Sequence, residues 1–346
     1  MNDFLDRLNR GITACGLPGK RVLLAVSGGP DSVAMLRGLH ALAAEHGLSL
    51  HAAHLNHQLR GPDSRADAAW LQALCDSLAI PLIVQTEDVA KVARITGRGT
   101  EETARAVRYE FLKAMALGKG CAKVAVAHTA DDQAETILHH IVRGTGFEGL
   151  RGMARVRRLD DECEESHGAQ PVGLETMLVR PLLEIRRADV EAYLTALGQD
   201  ARTDATNRDE KYTRNRIRLS LLPMLERDFN PKVRDALLKL SRQADDLQEL
   251  VQSLAAELLA RAIEDKNPAV ARLNCEALVN SPRHLIRECF SLLWRELGWP
   301  RQKMGFDEWD RLAELMLSNE GSAMLPGPIS ATRRGTLLVL RKVSST

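Results

Sequence analysis

One junction restricts the fold of this chain more than any other feature. A β-branched and leucine-rich run over residues 21–26 stops at Ser27-Gly28-Gly29-Pro30-Asp31-Ser32. Apolar positions Val33, Leu36, Leu39 and Ala43 then follow helical spacing to about residue 46. A buried strand that turns at two glycines straight into a helix is the opening of a β–α unit, and the pattern repeats. Residues 48–55, 80–84, 123–128 and 177–183 read as further strands, and residues 64–79, 101–117, 131–143 and 186–197 as helices. Such alternation predicts an α/β fold with a doubly wound, Rossmann-like parallel sheet.

Composition narrows the class of protein. Among 346 residues, Lys+Arg 47 against Asp+Glu 46 gives a net charge of +1. That balance excludes a uniformly basic nucleic-acid-binding surface and allows a local one. No apolar run approaches the ~20 residues of a membrane-spanning helix. The opening Met1-Asn2-Asp3-Phe4-Leu5-Asp6-Arg7 carries charge where a signal peptide needs its apolar stretch. Cys15, Cys75, Cys121, Cys163, Cys275 and Cys289 are scattered without a C-x-x-C pair. This spacing argues against a zinc ribbon, a thioredoxin-type site or a clustered iron–sulfur ligand set, and fits a reducing cytoplasm.

Residues 1–220 are expected to form one domain and residues 221–346 a mostly helical second one. In the second, Val233, Leu237, Leu240, Ala244, Leu247, Val251, Leu254 and Leu258 step by four and three, a heptad seam on a helix over residues 232–264. The seam can pack on its own helical domain or on a second copy of the chain. Further helices are expected at residues 283–297 and 307–317, and closing strands at 322–325 and 336–341. The acidic run Asp160-Asp161-Glu162 reads as a solvated loop.

Five stretches carry chemistry. The Ser27–Ser32 loop lies at the carboxyl end of the first strand, where parallel sheets bind ligands, and its helix aims unpaired amides at an anion. It lacks the Lys-Ser/Thr of a Walker A loop. After the fourth strand comes His128-Thr129-Ala130-Asp131-Asp132-Gln133-Ala134-Glu135-Thr136. Asp131 and Glu135 share a helix face there, and the carboxylates suit Mg²⁺ better than zinc. Helix capping explains one of them. The stretch His54-Leu55-Asn56-His57-Gln58-Leu59-Arg60 ends the second strand on the same edge. Glu101-Glu102-Thr103-Ala104-Arg105-Ala106-Val107-Arg108-Tyr109 opens a helix, and Tyr212-Thr213-Arg214-Asn215-Arg216-Ile217-Arg218 offers cations and amides beside a tyrosine, suited to RNA. By contrast, Gly144-Thr145-Gly146-Phe147-Glu148-Gly149 matches G-x-G-x-x-G but follows a helix, so it carries no dinucleotide-binding context.

The first loop resembles the pyrophosphate loop of the N-type ATP pyrophosphatases. The order of all these motifs, with Arg143-Gly144-Thr145-Gly146, Gly149-Leu150-Arg151-Gly152-Met153, Arg180-Pro181-Leu182-Leu183 and Asp204-Ala205-Thr206-Asn207, resembles the tRNA(Ile)-lysidine synthetases over residues 20–220. The resemblance implies a cytoplasmic ligase that uses ATP and Mg²⁺ to join lysine to the wobble cytidine of tRNA(Ile) with a CAU anticodon, through an adenylylated cytidine. It implies ATP contacts at Ser27, Gly28, Gly29, Pro30, Asp31 and Ser32, and metal ligation or catalysis by Asp31, Asp131 and Asp132. A lysine pocket of His54, Asn56, His57, His128 and Glu135 follows, with tRNA contacts from Arg105, Arg108, Arg214, Asn215 and Arg218. The expected partners are that tRNA, lysine and a second copy of the chain, with no membrane. The further C-terminal domain of longer members is expected to be absent. The rival readings are a sulfur-inserting tRNA-modifying enzyme of the same superfamily, a small-molecule ATP-dependent amide ligase and a non-enzymatic RNA-binding module.

Overall fold

The structure, a computed structural model, describes residues 2–56, 62–162, 175–202, 213–301 and 303–343. Its contacts divide the described chain into two compact units that meet in sequence between Arg242 and Gln243.

In the first unit the elements are α1 (Asn2–Ala14), β1 (Arg21–Ala25), α2 (Pro30–His46), β2 (Ser49–Asn56), α3 (Pro62–Ser77), β3 (Leu82–Thr86), α4 (Val89–Thr96), α5 (Thr100–Lys119), β4 (Lys123–Ala125) and α6 (Ala130–Arg143). These are followed by α7 (Phe147–Leu150), β5 (Val156–Arg158), β6 (Met177–Val179), α8 (Arg187–Ala196), α9 (Thr213–Arg216), a π-helical turn (Ile217–Leu221), α10 (Leu222–Asp228) and the start of α11 (Val233–Ala262). The sheet order is β3-β2-β1-β4-β6-β5. The first five of these strands pair in parallel, and only β5 runs antiparallel, against β6.

β1 is apolar throughout its interior because both of its faces are covered. Val22 and Leu24 join the core formed with α1, α2, α3 and α8, while Leu23 points the other way, among Tyr109, Phe111, Leu112 and Ala116 of α5. α1 was not evident in the sequence; it buries Phe4, Leu8 and Ile12 at four-residue spacing. The unit continues past the expected end at residue 220. Ile217, Leu222 and Leu237 share a buried cluster with Ala134, Ile137 and Leu138 of α6.

The second unit is less helical than expected. Beside α12 (Arg283–Glu296) and α13 (Phe306–Leu317) it holds β7 (Ile263–Asn267), β8 (Val270–Asn274), β9 (Glu320–Leu325), β10 (Ile329–Arg334) and β11 (Leu337–Lys342). These strands form an antiparallel sheet in the order β7-β8-β11-β10-β9. The heptad seam does not persist as one buried stripe. Leu237 and Ala244 are buried, whereas Leu240, Leu247 and Leu254 are exposed. Among the described residues no helix is long and apolar enough to cross a membrane.

α1 crosses close enough to the segment after β6 that only glycine fits at position 11. A Cβ there would stand 2.2 Å from the Pro181 carbonyl oxygen. Gly11→Ala is expected to destabilise the first unit by roughly 1–3 kcal/mol through overpacking, read as a lowered urea midpoint. The control Gly118→Ala, on α5 with nothing within 4 Å of the new Cβ, should be neutral or stabilising by up to about 1 kcal/mol.

Candidate active site

Strand order places the site. β1 lies between β2 and β4, so the chain leaves β1 in one direction and returns on its other side, opening a crevice at the carboxyl ends of these strands. The loop after β1 is folded by its own side chains. Ser32 Oγ donates to the Gly29 carbonyl at 2.9 Å and accepts from the Ser27 amide at 3.2 Å, and the two serine hydroxyls stand 3.2 Å apart. Gly28 sits at φ +89°, a left-handed conformation suited to glycine. Its carbonyl accepts from the Arg202 amide at 2.9 Å. Pro30 then begins α2 without a side-chain cap, so the first-turn amides and the positive end of the helix dipole face the crevice.

The second group rises from the start of α6. Thr129 and Asp132 form a capping box, in which Asp132 Oδ2 accepts from the Thr129 amide and hydroxyl, both at 2.9 Å. The capping carboxylate is thus Asp132, and only its Oδ1 is left for the site. That oxygen receives Arg214 Nη2 at 3.1 Å. Arg187 Nη2 lies 3.1 Å from Asp31 Oδ2 and 4.0 Å from Asp132 Oδ1, so one guanidinium bridges the loop and α6. Glu135, 1% exposed, faces Arg214 Nε at 3.3 Å and Arg218 Nε at 3.6 Å. The carboxylates that share a cation are therefore Asp132 and Glu135, not the expected Asp131 and Glu135.

Asp131 turns elsewhere. Its Oδ2 accepts from the Arg187 backbone amide at 2.8 Å, at the first residue of α8, and its Oδ1 meets Arg234 Nη1 at 3.1 Å. Asp31, Asp131 and Asp132 do not converge, and no group of three potential metal ligands forms among the described residues. Asp31 Oδ1, by contrast, is buried without a hydrogen-bond partner.

Charge follows burial. Desolvation raises the Asp31 carboxyl, with Arg187 opposing and Asp132 adding to the rise. Burial also acts on Asp132, but Arg214, the Thr129 amide and Arg187 overcome it and hold the group below the usual carboxylate range. Glu135 is pushed up to about 7 by burial and by the neighbouring Asp132, against the pull of Arg214 and Arg187.

The remaining expected residues divide. His54 is buried at the end of β2, its Nδ1 2.8 Å from the Val26 carbonyl, where it braces the strand leading into the loop; burial lowers its pKa. Asn56 is buried beside it, and His57 lies outside the described residues, as do Asp204, Ala205, Thr206, Asn207 and Tyr212. Arg105 and Arg108 are exposed on α5, with Arg105 4.9 Å over the Tyr109 ring. Asn215 is half-buried. Arg214 and Arg218, read from sequence as RNA contacts, engage the pocket carboxylates. The sequence reading missed Arg187 and Arg234, for which no motif signalled a role. It quoted Arg180 only within a motif, although Arg180 is 2% exposed and donates from Nε to His128 Nδ1 at 3.1 Å.

The family model for the PP-loop domain matches residues 3–225, a span that includes the β1–α2 junction and the start of α6. Relatives narrow the class. The tRNA(Ile)-lysidine synthase of Rhodopirellula baltica is 34% identical over 328 residues, covering 85% of this chain and 79% of the relative. That of Symbiobacterium thermophilum is 36% identical over 335 residues, covering 94% and 66%. That of Clostridioides difficile is 33% identical over 261 residues, covering 75% and 53%. The chain belongs to the tRNA(Ile)-lysidine synthase family of PP-loop proteins. It spans only about half to four-fifths of the length of these relatives. Among solved structures, the U34-tRNA thiolase NcsA from Methanococcus maripaludis shares the fold, with a TM-score of 0.54 at 15% identity over 71% of this chain and 81% of that one.

The raised Glu135 pKa sets a pH dependence. The folded protein keeps a proton that the unfolded chain loses near its ordinary 4.5, so this group's contribution to stability is full below 4.5 and is lost as pH rises through about 7. Urea midpoints of the wild type, relative to Glu135→Gln, should fall across that window and level off above it. A difference that stays flat with pH would remove the assignment.

Proposed function

We propose that this chain joins lysine to the wobble cytidine of tRNA(Ile) with a CAU anticodon, at the expense of ATP. The observation that carries the reading is the closeness of the amide-lined β1–α2 loop to Asp31, Asp132 and Glu135, linked through Arg187 and Arg214. Family membership supports the choice of substrate. The five described cysteines are all buried, which disfavours sulfur insertion as the alternative.

In the proposed reaction the cytosine carbonyl oxygen at position 2 attacks the α-phosphorus of ATP. The bond to the β-phosphate oxygen breaks and pyrophosphate leaves. The lysine ε-amine then attacks carbon 2, and AMP departs with the carbonyl oxygen. The amides after Gly28 and the N-terminus of α2 receive the anionic leaving group, a task for fixed dipoles in a water-poor site. Asp31 Oδ1, buried and unpartnered, is open to a divalent cation, and Asp132 Oδ1 would join it on release of Arg214. Mg²⁺ bound there supplies charge neutralisation on the phosphates. Both oxygens of Asp131 are engaged, so its part is to hold α8, and with it Arg187, against α6.

Glu135, held near neutrality, suits an ammonium group and its proton: it binds the charged lysine side chain and accepts the hydrogen that the amine loses. Arg214 then has a second use, as the guanidinium that yields its place to the incoming ammonium. Arg105 and Arg108, exposed on α5, remain the candidates for RNA phosphate.

The test uses labelled lysine, ATP and an unmodified tRNA(Ile) transcript. Label on the RNA, with one AMP and one pyrophosphate released per lysine, is expected; no label on the RNA ends the proposal. Asp31→Asn and Asp132→Asn should each lower incorporation by at least about a hundredfold while the circular dichroism spectrum is retained.

A further inference from the structure

His128 follows β4 on the same edge as the phosphate loop, and its ring is half-buried. Arg180 Nε donates to its Nδ1 at 3.1 Å, and Arg180 Nη1 donates to the Ala154 carbonyl at 2.6 Å. The Arg180 backbone amide is tied to the Arg155 carbonyl at 2.9 Å, and the residue is 2% exposed. An arginine side chain has only donors. The nitrogen that faces it must therefore present a lone pair, and the hydrogen of the neutral ring is on Nε2. Among the described residues no other hydrogen bond reaches the ring, and Nε2 is not one of the buried unpartnered atoms. Its hydrogen is free for a ligand.

We propose that Arg180 is a positioning residue that fixes His128 as a neutral Nε2–H donor toward an oxygen acceptor of the reacting nucleotides. Two such oxygens belong to the reaction proposed above, on which this inference rests: an ATP phosphate oxygen and the cytosine carbonyl. The lysine ammonium is excluded as the partner, because it too has only donors. This moves His128 out of the lysine pocket, where the sequence reading had it, and onto the nucleotide side of the site. Burial and the cationic Arg180, Arg214 and Arg105 all keep the ring from charging, with Asp132 opposing. The donor therefore keeps one form throughout the neutral range.

Nitrogen-15 labelling of the histidines, with long-range proton–nitrogen correlation at neutral pH, reads the tautomer directly, and loss of one signal set in His128→Gln makes the assignment. An Nε2-protonated, Nδ1-bare ring is expected, with Arg180→Met shifting it toward mixed tautomers. An Nδ1-protonated or charged ring in the wild type overturns the proposal, whether or not the Arg180 variant folds. Addition of ATP alone should move the Nε2 signal if a phosphate oxygen is the acceptor. Movement that requires the tRNA transcript identifies the cytosine carbonyl, and no movement with either overturns the donor role. In turnover, His128→Ala should lose about a hundredfold in kcat, His128→Gln less, and Arg180→Met should lower kcat with KM for ATP unchanged. Equal rates for the wild type and His128→Ala count against the proposal. If the wild type transfers no lysine, the function proposed above fails, while the spectrum still decides the tautomer.

Discussion

Buried negative charge at the carboxyl edge of a parallel sheet must be balanced, and the first unit is organised around that requirement. Asp31, Asp132 and Glu135 come from the first 135 residues, whereas Arg187, Arg214 and Arg218 come from the segment that follows β6. Taking an ion out of water costs several kcal/mol unless a partner and further hydrogen bonds compensate. Each guanidinium therefore fixes a distant stretch of chain to the site, and each carboxylate would be an uncompensated charge without it. Arg187 does this twice, with its guanidinium on Asp31 and its backbone amide on Asp131. The site and the closing of the domain are consequently one electrostatic problem.

The sheet was legible because its strands are short, apolar and separated by helical periodicity. Val22, Leu23 and Leu24 are buried on alternating faces, so the run reads as a strand on hydrophobicity alone. The second unit hides its sheet for the opposite reason. β7 is the polar, mostly exposed edge strand Ile-Glu-Asp-Lys-Asn, which carries no apolar alternation to detect. β10 breaks the inward pattern of Ile329 and Ala331 with Arg333, which is buried because its guanidinium donates to the carbonyls of Leu315 and Met316 at the end of α13. A cation at an inward position reads in sequence as a surface residue until the helix terminus that receives it is known.

At the site the motifs identified the participants better than their partnerships. Helical spacing pairs Asp131 with Glu135, but the capping geometry of Thr129 turns Asp132 inward and leaves Asp131 to receive the first amide of α8. The cationic run near residue 214 looked like an RNA surface because arginines and amides beside a tyrosine suit phosphate contacts and base stacking. Nothing local revealed that buried Glu135, one turn from Asp132, would draw Arg214 and Arg218 inward. Long-range charge pairing leaves no periodicity in a sequence.

The same pairing sorts the site by hydrogen-bonding type. One set is neutral donors: the amides at the start of α2 and, by the proposal above, the Nε2–H of His128 after β4. The other is the carboxylates of Asp31, Asp132 and Glu135, which hold Arg187, Arg214 and Arg218. An anionic phosphate gains from the first set, since fixed dipoles stabilise charge without bringing a counter-ion that must be displaced. A cationic group gains from the second, because it exchanges with a guanidinium and inherits its charge balance. The proposed reaction, which brings a polyphosphate and an ammonium group into one crevice, uses both sets. By the same proposal Arg180 keeps His128 in the first set, since without it the ring nitrogen toward the crevice could accept as well as donate.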